Sequence, residues 1–141
     1  TEFVVTKALI DSQDNKTEKA ITSLENAILS SPTSYSLNLT LAEIAISKQK
    51  YAIALNKLES YKQLRYKDPK IFRLISKAQS GLGNLFEAYV NSAESYFLSG
   101  DTEKAIQQLE YALMKFDSNF HSLSKAESNL QTYKKHRESK K

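Results

Sequence analysis

The chain has 141 residues, with 20 basic and 16 acidic side chains, three glycines, two prolines and no cysteine. That length suits one domain, the missing cysteines exclude disulfides and thiolate-bound zinc, and no apolar run of about 18 residues is present to span a membrane. The net charge of +4 sits wholly in residues 134–141, which hold five bases and one acid; residues 1–133 hold 15 of each, so a generally basic, nucleic-acid-binding body is not expected.

So few glycines and prolines predict long helices joined by short loops. Residue 1 is Thr, and no basic-then-apolar segment opens the chain, so a piece cut from a longer protein, or a processed one, is expected. A first helix over 2–12 rests on Phe3, Val4, Val5, Ala8 and Leu9; an uncovered apolar face on it would drive dimers of the isolated chain. A second, over 16–30, carries Ala20, Leu24, Ala27 and Ile28 at spacings of 3 and 4, with Asn15 as cap and Glu18 as its capping-box partner. Helices over 34–47 and 51–64 follow Pro32, the latter on Ala54, Leu58 and Tyr61. Asp68-Pro69 opens a helix over 69–82, since a carboxylate caps and proline tolerates the first turn. Gly83 and Gly100 mark helix stops, and Asn84 and Asp101 stand as caps before helices over 85–98 and 102–115. A last helix is expected over 119–136, then a frayed basic tail over 137–141.

Thr17-Glu18-Lys19-Ala20-Ile21 recurs unchanged as Thr102-Glu103-Lys104-Ala105-Ile106, 85 residues on. Leu24-Glu25-x-Ala27-Ile28 likewise returns as Leu109-Glu110-x-Ala112-Leu113. Ala20, Ala54 and Ala88 are 34 apart, and Ala105 follows half a period later. A period of about 34 is the signature of the tetratricopeptide helix-turn-helix. The half step makes helix 85–98 the second helix of one unit and the first of the next. Its Ala88, Tyr89, Ala93, Tyr96 and Phe97 spread apolar surface around the helix, as burial on two sides requires. The small residues allow close approach, and Tyr51, Tyr61, Phe72, Tyr89, Tyr96 and Phe116 fill the spaces between; a ligand cage is the lesser reading of that aromatic stripe.

Beyond its period, the wording at 100–113 resembles a tetratricopeptide repeat, although the bulky aromatic early in each first helix is weak outside Tyr89 and Tyr61 replaces a small residue. A narrower resemblance covers about residues 35–135. It rests on Leu39-x-Leu41-Ala42-Glu43-Ile44, Tyr51-x-x-Ala54, Asp68-Pro69, Leu82-Gly83-Asn84, and above all Ala93-Glu94-x-Tyr96-Phe97-Leu98-x-Gly100-Asp101. This half-repeat, followed by one long helix, is similar to the C-terminal domain of periplasmic zinc metalloproteases of the beta-barrel assembly-enhancing type. The resemblance implies an all-α, right-handed helical-hairpin solenoid of about eight helices with a closing helix. It implies a periplasmic location and partners among outer-membrane proteins, their assembly machinery and the protein's own protease domain. Zinc would belong only to that separate N-terminal domain.

No catalytic residue carries over, because the H-E-x-x-H motif is absent and the two histidines, His121 and His136, lie 15 apart. There is no cysteine nucleophile and no phosphate-cradling loop, and Gly81-Leu82-Gly83 reads as a helix stop. The chain is therefore expected to be a non-catalytic protein-binding module. A free-standing scaffold for a chaperone or secretion complex, and a cap packed on its own catalytic domain, stay open beside it.

First helices of stacked pairs line a concave groove that holds peptide segments. Lys70, Arg73 and Lys77, at i, i+3 and i+7, share a face of helix 69–82, with Phe72, Ile75, Ala78 and Leu82 opposite. They lie in the one locally basic stretch, residues 62–77, with six bases and one acid. Such a face suits a C-terminal carboxylate or an acidic segment, and it is equally what a solvated helix face carries. Asn38, Glu43, Asn91 and Glu94 are expected on the same groove or as surface polars.

Overall fold

A computed structural model describes residues 2–13 and 16–140, with the side chains of 11–13 left aside. The described residues are all-α, without strands: α1 (Glu2–Gln13), α2 (Thr17–Ser30), α3 (Tyr35–Ser47), α4 (Tyr51–Lys62), α5 (Pro69–Gly81), α6 (Leu85–Leu98), α7 (Thr102–Lys115) and α8 (Phe120–Ser139). Two ends depart from expectation. Helix α4 stops at Lys62, where Leu64 and Arg65 donate backbone N–H groups to Tyr61 and Lys62 in tight turns ahead of Asp68-Pro69. Helix α8 runs on to Ser139 rather than ending at 136. Lys134 and Arg137 lie along α7, 3.5 Å from Glu110 and 3.7 Å from Glu103, so the start of the basic tail is helical and docked rather than frayed.

The starts follow capping chemistry. Asp68, Asp101 and Asn119 accept from the backbone N–H groups of Lys70, Lys104 and Ser122 at 3.0, 3.1 and 2.8 Å, and Ser34 accepts from Leu37. Asn84 does not cap α6; its amide donates to Gln79 instead, at 2.9 Å. Lys16 holds the position before α2 and makes no side-chain cap, while Asn15 lies outside the described residues.

Three connections share one geometry. At the ends of α3, α5 and α6 the residue two past the helix bonds back one turn: Gln49 to Ile46, Gly83 to Ser80 and Gly100 to Phe97. The next residue closes the longer loop: Lys50 to Ala45, Asn84 to Gln79 and Asp101 to Tyr96. This is the Schellman stop, whose pivot is left-handed. Gly83 and Gly100 take φ of +83° and +93°, and Gln49 takes +61°. A non-glycine residue in that region costs about 1 kcal/mol. Gln49→Gly is therefore expected to raise stability by about 1 kcal/mol, read as a higher urea midpoint at unchanged slope; a lower midpoint would refute it.

The chain divides into two compact units, Thr1–Tyr66 and Lys67–Lys141. In the first, α1 packs on α2 and α3, and α3 on α2 and α4. Its core gathers Ala8, Ala20, Ile21, Leu24, Ile28, Leu37, Leu41 and Ile44. Only part of the expected α1 face is used: Val4, Val5 and Ala8 point inward, whereas Phe3 and Leu9 are exposed. Tyr61 is buried and donates its hydroxyl to the Thr33 carbonyl at 3.2 Å.

In the second unit, α6 packs against α5 on one side and α7 on the other, the double duty implied by the half-period step. Phe86 and Ala93 of α6 meet Ala105, Ile106, Leu109 and Ala112 of α7 and Ala126, Leu130 and Tyr133 of α8. Every alanine of the repeat, Ala20, Ala54, Ala88 and Ala105, is buried. On α5 the inward set is Ile71, Leu74, Ile75 and Ala78, while Leu82 is exposed, because it lies past the helix end where the chain turns.

Candidate functional site

Helix α6 leaves one stripe uncovered between its two neighbours. Ser92, Tyr96 and Ser99 fall at i, i+4 and i+7, hence on one side of the helix. Arg73, Ser76 and Lys77 of α5 rise along one edge of this stripe, and Asp101, ahead of α7, stands at its end. Together with Ser95 they enclose a cleft of about 480 Å³.

Polar chemistry dominates the cleft. The Ser76 hydroxyl donates to the Ala88 carbonyl at 2.6 Å, and that of Ser95 to the Pro69 carbonyl at 2.8 Å. These two bonds tie α5 to α6 and leave both oxygens free to accept only. The hydroxyls of Ser92 and Ser99 bond no described residue. Arg73 and Lys77 are exposed, and neither forms an ion pair with a described residue. From the α7 side, the Lys104 ammonium lies 5.4 Å from the centre of the Tyr96 ring. The one carboxylate present, Asp101, is spent on the first turn of α7, where the helix dipole offsets its charge. Arg73 and Lys77 line the cleft against one engaged carboxylate, and Lys104 stands over Tyr96 beside it, so positive charge prevails there.

The residues expected to share one face are placed differently. Arg73 and Lys77 line the cleft; Lys70, half-buried one turn earlier, does not. Asn91 is 8% exposed and donates to the Glu87 carbonyl at 2.8 Å, so it is an interior residue rather than a surface polar. Glu94 turns to α8, accepting from the Tyr133 hydroxyl at 2.7 Å. In the first unit Glu43 is exposed, whereas Asn38 is 5% exposed and donates to the carbonyls of Pro32 and Ser34 at 3.2 and 2.8 Å, which secures the turn into α3. Asn38→Ala is expected to cost about 1 kcal/mol by removing those two bonds, the Ser34 carbonyl keeping the backbone N–H of residue 38; a thermal melt superimposable on the parent would refute this.

Serine drew no notice in the sequence because its hydroxyl marks no chemistry by itself. The usable signal was alignment: Ser76 and Ser80 on one helix, Ser92 and Ser99 on the next. His121 is exposed at the start of α8, and His136 sits edge-on to Phe97 at 5.1 Å. No group of three His, Cys, Asp or Glu side chains among the described residues is arranged to hold a metal. No helix among them is long and apolar enough to cross a membrane.

Compared with models of protein families and with curated proteins, the chain matches neither a family nor a relative.

Proposed function

We propose that this chain is a non-catalytic protein-binding module of the tetratricopeptide type, taking acidic or carboxylate-ended segments of partner proteins at the Arg73–Lys77 cleft. One observation carries the reading: two exposed cations without an ion-pair partner among the described residues stand beside free hydroxyls in a cleft of about 480 Å³. Guanidinium groups bind carboxylates through two parallel hydrogen bonds, and serine hydroxyls complete the shell. The eight-helix order, the buried alanines at the 34-residue period and the doubly packed α6 support the repeat assignment.

The sequence resemblance extends the proposal. On it, the chain is the substrate- or partner-binding arm of a periplasmic zinc metalloprotease that handles outer-membrane proteins, with zinc held in a separate domain. A free-standing scaffold would bind the same class of segment without a protease attached.

The test is the double variant Arg73→Glu, Lys77→Glu, titrated with a labelled decapeptide ending in two aspartates and a free carboxylate. Affinity is expected to fall at least tenfold, about 1.4 kcal/mol. Both side chains are exposed, so the melting temperature should hold, surface changes staying within about 0.5 kcal/mol. Equal affinity for parent and variant overturns the proposal.

A further inference from the structure

The cleft does not stop at Ser92. A second hollow of about 180 Å³ shares Ser76 and Ser92 with it and continues toward the start of α6 over Leu85, Tyr89 and Gln108. Its character is different. Leu85 is 41% exposed. The Tyr89 ring lies 4.9 Å from Tyr111 and 5.7 Å from Phe116, and Tyr111 is itself 38% exposed. No charged side chain lines this second hollow. The α6 stripe is thus the floor of one groove with α5 along one edge and α7 along the other, uncharged at one end, where Leu85 and the Tyr89 ring stand among serines and Gln108, and cationic at the other.

Dimensions fix what such a groove reads. Tyr89 and Tyr96 are seven residues apart on α6, a rise of about 10 Å. An extended chain covers that distance in about three residues, at roughly 3.3 Å each. Between the ends stand Ser92 on the floor and Gln108 on the α7 edge, neither bonded to a described residue through its side chain. They offer donors and acceptors to the main chain of a segment lying along the helix.

We infer that the groove over α6 recognises an extended peptide segment with a bulky apolar or aromatic side chain about three residues from an acidic one, the apolar residue seated at Leu85–Tyr89 and the acid between Arg73, Lys77 and Lys104. This deepens the module reading above and rests on it. The charge balance selects the acid, the exposed Leu85 and the half-buried Tyr89 ring select the apolar anchor, and the rise of α6 sets their separation.

The experiment uses the full chain, isotope-labelled, and blocked decapeptides of Gly, Ser and Thr carrying one Phe and one Asp-Asp pair. Phe and the first Asp are placed adjacent, three apart or six apart. Amide shifts in α5 and α6 read binding into the millimolar range. The expected result is tightest binding at three, by about fivefold over either alternative. Arg73→Gln with Lys77→Gln should erase the contribution of the Asp pair, and Leu85→Ser that of Phe alone. Affinity that depends on Asp but is flat in the spacing, or peaks at another spacing, overturns this inference and leaves the module reading standing. No shift with any peptide overturns both.

Discussion

Leu109→Ala is expected to lower the free energy of unfolding by about 4 kcal/mol, in the upper part of the range for a leucine truncated in a packed core. Leu109 is wholly inaccessible and sits among Ala93, Ala105 and Ala112. Closely packed side chains relax only in part into a vacated space, so the cavity penalty adds to the lost transfer energy. The same substitution at Leu24, its counterpart 85 residues earlier and equally buried, should cost a similar amount. Leu113→Ala, half-buried one turn on, should cost far less. Urea titration of the three variants decides it: a loss under about 1 kcal/mol at Leu109 would mean that α7 is not the packed centre of its unit.

Tyr133→Phe is expected to destabilise by about 1–3 kcal/mol at neutral pH and to reverse that deficit progressively in alkali. Tyr133 is 2% exposed, its ring stacks on Phe97 at 4.4 Å, and its hydroxyl donates to Glu94. Burial, then the hydrogen bond to Glu94 and the charge of that carboxylate, push the phenol pKa well above its ordinary value. A pKa raised on folding means that the unfolded state loses its proton first. Stability from this group is therefore complete below pH of about 10, and it falls by about 1.4 kcal/mol per unit above that. The phenylalanine variant lacks the titrating group, so its curve should fall less steeply and close on the parent's. Parallel curves from pH 7 to 11 would refute the account.

Most of the fold was legible because helical signals are local and repeated. The 34-residue spacing of Ala20, Ala54 and Ala88, with Asp68-Pro69, Gly83 and Gly100, set the helices to within a few residues. Gln49 escaped notice as a left-handed pivot because only glycine advertises that conformation. The burial of Asn38 and Asn91 is not legible in the sequence for one reason: an asparagine within a helix can turn its amide back to the carbonyl four residues earlier, Ser34 or Glu87, and so be buried at little cost. Arg73 and Lys77 could be picked out because charge on a helix face is visible in a sequence. The serines around them could not, because the cleft exists only once α5 and α6 are set side by side.

Asp101 serves three structures at once. Its backbone N–H closes the end of α6, its carboxylate opens α7, and it borders the cleft. Any change of charge there also acts on the end of one helix and the start of the next. Arg73 and Lys77, on the opposite edge, carry no such duty. Substitution at Arg73 or Lys77 is therefore expected to leave the helix boundaries in place, whereas substitution at Asp101 disturbs the end of α6 and the start of α7 together.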